Sequence, residues 1–168
     1  MSSYLNIYVR VRSDLYKIER IKDTEYHKQG DVILLNSYSR NNKIYRIMDE
    51  CINPVWSEDE EKYSSVTEGD INECIVECRK EINLLKNSIN NYESKKKDYI
   101  KYLQGFSKIL SYEEFIDSTT EESDYIEETK EELKDYEYCL NQLLFIQDLI
   151  VTFNLQYGGF SEVLCNIS

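Results

Sequence analysis

The sequence predicts an α+β fold: a small antiparallel sheet with one short helix, and a long antiparallel two-helix coiled-coil hairpin. Three observations predict it. Two long stretches carry apolar residues at alternating four- and three-residue steps. Strict polar–apolar alternation opens the chain and returns at its end. Between the opening strands and Pro54 lies one amphipathic stripe with helical spacing. A chain of 168 residues suits a single domain over 1–168, with 1–54 and 159–168 as a sheet platform and 67–157 as the hairpin.

Residues 4–12 alternate, with Leu5, Ile7, Val9 and Val11 on one side and Tyr4, Asn6, Tyr8, Arg10 and Arg12 on the other. That pattern is a half-buried strand. Residues 13–30 are polar, with Gly30 as punctuation, and read as a long loop or an irregular edge strand. Val32–Leu35 is a continuous apolar run, which predicts a central strand continuing to Tyr38. Ser39 then stands where an N-cap is expected. Behind it Ile44, Ile47, Met48, Cys51 and Ile52 follow helical spacing. Asn53-Pro54 ends this helix, because the residue before proline avoids helical dihedrals. Residues 55–67 read as an acidic connection.

Thr67 with Asp70 predicts a capping box at the start of the first long helix. Its seam is Ile71, Ile75, Cys78, Ile82, Leu85, Ile89, Tyr92, Tyr99, Leu103 and Phe106, with Gly105 as the stop. Ser111-x-x-Glu114 predicts a short helical piece at the tip, and Thr119-x-x-Glu122 the start of the second long helix. That helix has the seam Ile126, Leu133, Tyr136, Leu140, Leu143 and Ile150, with Thr129 and Gln147 as polar members, and Gly158-Gly159 ends it. Sustained spacing of this kind marks helices that bury a narrow stripe on each other. One antiparallel register opposes Leu85 to Leu140, Ile89 to Tyr136, Tyr92 to Leu133 and Ile75 to Ile150. It also sets Lys95, Lys97 and Lys101 beside Asp124, Glu127 and Glu128. From Tyr138 to Leu155 the second helix is apolar on several sides, so its base must pack on the sheet as well. Val163, Cys165 and Ile167 alternate and predict a final strand beside the first.

The net charge of −12 is uneven: residues 113–137 alone carry −10, whereas residues 1–47 carry +4. An acidic total disfavours direct binding to nucleic acid, since phosphate attraction supplies most of that affinity. It leaves open an acidic face that competes with nucleic acid for a basic protein. No run reaches the roughly 18 apolar residues of a membrane span. The chain enters its first alternation directly, so no secretory leader is expected. The five cysteines read as reduced thiols of a cytosolic protein, with Cys51, Cys78 and Cys165 on predicted apolar faces.

Catalytic chemistry finds little support. His27 is the only histidine and sits between Tyr26 and Lys28 in a polar loop. No nucleophile elbow or phosphate-cradling glycine loop occurs. Cys74 and Cys78 share a helical spacing, but no Cys-x-x-Cys or second histidine completes a zinc set. No metal and no cofactor are therefore expected. Ser39, Arg40 and Asn41 are the candidate anion site, because amides and a cation gather at a helix N-terminus. Capping by Ser39 with solvent-facing neighbours is the simpler account. Glu121, Glu122, Glu127, Glu128, Glu131 and Glu132, with Tyr112 and Phe115 at the apolar tip, form the candidate partner-binding surface.

Ser3–Tyr8, Leu34–Asn42 with Ile44-Tyr45, and Ile52–Pro54 ahead of a long helical pair resemble uncharacterised small proteins of bacteriophages that infect gut bacteria. The Ile-, Asn-, Lys- and Tyr-rich composition is similar to theirs. The resemblance implies an origin and no activity. Together these features lead us to expect a non-enzymatic protein-binding module that recognises a protein partner or forms a homo-oligomer, without direct nucleic-acid or membrane contact. Its expected place is the bacterial host cytoplasm or the virion. The alternatives are an acidic inhibitor of a nucleic-acid-binding host defence protein and a structural or assembly component of a virion.

Overall fold

A computed structural model of the protein describes residues 3–11, 32–57, 62–105, 112–153 and 160–168. The elements run β1 (Tyr4–Val11), β2 (Val32–Ser39), α1 (Lys43–Ile52), β3 (Ser64–Val66), α2 (Glu68–Gly105), α3 (Tyr112–Asp148), a π-helical segment (Leu149–Phe153) and β4 (Phe160–Ile167). The fold is α+β, with a four-stranded antiparallel sheet in the order β2-β1-β4-β3. The expectations for residues 13–30, His27 and Gly158-Gly159 lie outside the described residues.

The chain divides into two compact units, Met1–Cys78 with Cys139–Ser168 and Arg79–Tyr138. The first unit holds the sheet, α1 and the base of each long helix. Placing the base of α3 with the sheet agrees with its many-sided apolar character.

The closing strand pairs with the opening one, as the alternation predicts: Leu5, Ile7 and Val9 lie opposite Ile167, Cys165 and Val163. All six side chains are buried. Their opposite face departs from the half-buried reading. Asn6 and Tyr8 are buried too, as are Leu164 and Asn166 on β4. The middle of β1 is therefore shielded on both faces, and on the polar face the Tyr63 ring stands edge-on against Tyr8. The apolar run of β2, expected to be central, forms an edge, and Leu34 and Leu35 are exposed there. Continuous apolarity marks a buried strand only when both of its faces are covered, and Leu34 and Leu35 remain open.

Asn42, not Ser39, caps α1: its Oδ1 accepts from the Ile44 amide at 3.1 Å. Ser39 ends β2, and its carbonyl accepts from the Asn42 amide. The stripe of α1 is buried at Ile44, Tyr45, Ile47 and Met48. Asn53 ends the helix in the left-handed region at φ 52°, and its amide donates to Asp49. The segment expected to be only a connection also contributes to the sheet. Val55 and Ser57 hydrogen-bond to Ile167, and β3 pairs with β4 beyond them.

The capping box of α2 forms as its sequence predicts. The Thr67 amide donates to Asp70 Oδ2 at 2.9 Å, and the Asp70 amide donates to Thr67 Oγ1 at 3.2 Å. The tip segment from Tyr112 and the second long helix are one continuous helix, α3. Serine, threonine and glutamate near residues 119–122 are compatible with a helix interior, so a cap signal there does not oblige a start.

The helices α2 and α3 pack closely. In the first unit Gln147 donates to Asn72 at 2.6 Å, and Cys78 and Cys139 share a thiol hydrogen bond. In the second unit Lys86 pairs with Glu137 at 3.5 Å, and the buried side chains are Ile82, Ile89, Ile126, Thr129 and Tyr136. Thr129 satisfies its hydroxyl by donating to the Tyr125 carbonyl, one turn back. Towards the base, the buried stripe of α3 runs through Cys139, Leu143 and Ile146, whereas Leu140 and Ile150 are half-buried. Contact with the sheet accounts for this turn of the stripe: Tyr38 donates from its hydroxyl to Gln142 at 2.9 Å. Among the described residues no ion pair joins Lys95, Lys97 or Lys101 to the acids of α3. Long exposed lysines lose more entropy in such a pair than the solvated contact returns.

Candidate functional site

Residues expected to recognise a partner lie on α3 in the second unit. Glu127, Glu128 and Glu131 are exposed, and Glu132 is half-buried. Glu121, Glu122, Tyr112 and Phe115 lie within α3, but their side chains are outside the described residues. Lys130 pairs with Glu127 at 3.3 Å, and Lys86 takes Glu137. Asp124, Glu128, Glu131 and Asp135 are exposed and form no ion pair among the described residues. Their spacing of four, three and four residues places them on one helix face. Tyr125, directly after the first residue of this stripe, and Tyr138, three residues past its last, are 63% and 54% exposed. Tyrosine presents a large rigid surface at small entropic cost, which suits a contact surface.

The candidate anion residues lie in the first unit. Ser39, Arg40 and Asn41 are all exposed, at the end of β2 and in the turn before α1. They are neighbours in space through the chain alone. The helix begins at Lys43, so none of the three occupies its first turn.

Two clusters were not singled out from the sequence. The first is a polar network on the sheet face opposite Leu5, Ile7 and Val9. Asn6 Nδ2 donates to Asn166 Oδ1 at 3.1 Å and to Ser168 Oγ at 2.9 Å, and Asn6 Oδ1 accepts from Ser37 at 2.7 Å. Asn166 Oδ1 also accepts from the Tyr8 hydroxyl, and Asn166 Nδ2 donates to the Lys62 carbonyl at 3.0 Å. Tyr63 sets its ring edge-on to Tyr8 at 5.0 Å. One row along, Arg10 and Glu162 form an ion pair of 2.6 Å. Every polar atom of Asn6 has a partner, which makes this network a structural closure of the sheet.

The second cluster is cysteine. Cys74 and Cys139 are as buried as Cys78 and Cys165, though their phase put them off the predicted seam, while Cys51 is half-buried. Burial pushes the thiols of Cys51 and Cys74 up, and at Cys139 the hydrogen bond with Cys78 does so first and burial second. Burial, with Asp70 nearby, pushes Cys165 up to about 12. Thiols of this kind are poor nucleophiles at neutral pH. Among the described residues no group of three His, Cys, Asp or Glu could hold a metal ion, and no helix is long and apolar enough to cross a membrane.

No family profile, curated protein or solved structure matches the chain. Its class rests on the fold alone: an α+β protein with a four-stranded antiparallel sheet and two closely packed long helices.

Proposed function

We propose that this chain is a non-enzymatic protein-binding module, an accessory protein of bacteriophage origin. It recognises a basic protein surface, or a second copy of itself, through the acidic outer part of a two-helix coiled-coil hairpin formed by α2 and α3. The observation that carries the reading is the exposed stripe Asp124, Glu128, Glu131 and Asp135, which has no ion pair among the described residues. Four exposed carboxylates without basic partners cost the free protein self-repulsion. A basic partner relieves that repulsion and gains fast, salt-sensitive association. The same stripe favours one second reading, an acidic inhibitor that occupies the nucleic-acid site of a host defence protein.

The test compares two charge variants in affinity capture from bacterial lysate and in sedimentation of the purified protein. Reversal of Glu128 and Glu131 to Lys should abolish capture of a basic partner or self-association, and Arg40→Ala should leave it intact. Loss of binding in Arg40→Ala with the reversal variant unaffected would move the functional surface to the sheet unit. Loss of the captured partner's DNA or RNA binding when this protein is added would select the inhibitor.

A further inference from the structure

Among the described residues β2 has β1 on one side and no strand on the other. A row of backbone groups points away from β1 along such an edge. The Ser37 amide shows it directly. Ser37 lies opposite Asn6, yet its amide donates to the Asn36 Oδ1 atom at 2.8 Å, so a side chain stands in for a neighbouring strand. Sheets guard long edges with lysine, proline, bulges or shortness. Over its eight residues, Val32–Ser39, β2 has no charge and no proline. Its one irregularity is a bulge: Tyr8 lies opposite Leu34 and Ile7 opposite Asn36, which leaves Leu35 with no opposite residue. Strict alternation would cover one of two neighbouring leucines, and here Leu34 and Leu35 are both exposed. The other edge, β3, is only three residues long.

We propose that β2 pairs antiparallel with β2 of a second copy of this chain, joining two four-stranded sheets into one. The two-fold axis passes beside Leu34 and Leu35, so the leucines of the two copies cover each other.

Charge selects the occupant. The chain carries −12, and acidic surfaces of two copies repel. From Val32 to Met48 the sequence holds Arg40, Lys43 and Arg46 and no acid. The uncharged strand within that stretch is a place where two copies meet without like charges opposed across the pair. Antiparallel self-pairing also uses the same edge of both copies, so the assembly closes as a dimer. The contact belongs to the sheet unit, whereas the acidic stripe of α3 lies in the other unit and stays available to a basic partner.

Sedimentation velocity of the purified full chain over a rising concentration series tests this, with amide hydrogen exchange read at both ends of the series. The native chain should pass from monomer to dimer, and β2 amides should exchange more slowly in the dimer. Leu35→Lys and Leu35→Glu, each checked for native circular dichroism, should each sediment as monomers. An equal mixture of the two should recover the dimer, which a folding defect would not allow. The variant carrying Glu128→Lys and Glu131→Lys should remain dimeric, which separates this contact from the acidic-stripe reading. A native chain that stays monomeric, a dimer retained by both Leu35 variants, a monomeric mixture, β2 amides indifferent to concentration, or a dimer lost in the α3 variant would each overturn the proposal.

Discussion

Asn6 and Asn166 face each other across β1 and β4, and the Asn6 amide donates to Asn166 Oδ1 at 3.1 Å with both side chains shielded from water. Asn166 also receives the Tyr8 hydroxyl and holds the Lys62 carbonyl. The pair thus connects β1, β4 and the segment before β3 through polar groups that have no solvent to fall back on.

Asn166→Ala leaves two buried partners, Asn6 and Tyr8, and the Lys62 carbonyl without it, so it should cost about 2–4 kcal/mol. A double-mutant cycle with Tyr8→Phe should show a coupling of about 1 kcal/mol. Urea denaturation of the four proteins measures it. Strict additivity would mean that the two groups do not interact in solution.

Leu143 is fully buried and Leu140 half-buried. Leu143→Ala should therefore cost about 2–5 kcal/mol, as core truncations do, and Leu140→Ala clearly less. Thermal melts of both variants decide this. Equal losses would restore the seam position that sequence spacing assigns to Leu140.

Thr67 and Asp70 satisfy each other's amides at the start of α2. Thr67→Ala should cost about 0.5–2 kcal/mol, while Thr67→Ser retains most of the stability. Chemical denaturation measures both. A silent Thr67→Ala would show that this end of α2 contributes nothing to global stability.

Cys165 titrates near 12 in the folded protein against an ordinary 9.0. The unfolded chain therefore releases this proton first. Above pH 9 the folded state binds more protons, and stability falls as pH rises towards 12. Below pH 9 the contribution is fully present. Urea midpoints under reductant should decline in this window more steeply for the native sequence than for Cys165→Ala. Parallel declines would remove Cys165 as a cause.

Legibility in the sequence followed the range of the interaction. Thr67 and Asp70 are three residues apart, and their cap was readable as a spacing. The stripe of α1 was readable because Ile44, Ile47 and Met48 recur within two turns. The α1 cap was misplaced because Ser39 and Asn42 are equally good capping residues, and only the length of β2 chooses between them. Among the candidate partner residues, exposure of Glu127, Glu128 and Glu131 was implied by their position opposite the seam. The ion pair of nearby Glu137 with Lys86 was not, because it depends on how two helices meet.

The sequence by itself determined the local elements: strand alternation at Leu5–Val9 and Val163–Ile167, the two long helices, and the acidic excess on the second. Each is set by side-chain periodicity within one segment, and periodicity is written in the order of residues. Tertiary structure alone decided that β2 is an edge, that Asn6 and Tyr8 are buried opposite the apolar face, and that Cys139 replaces Leu140 in the core. Those outcomes depend on partners up to 160 positions away, as Asn166 is from Asn6. A buried polar group is tolerated only once such a distant partner has arrived to satisfy it.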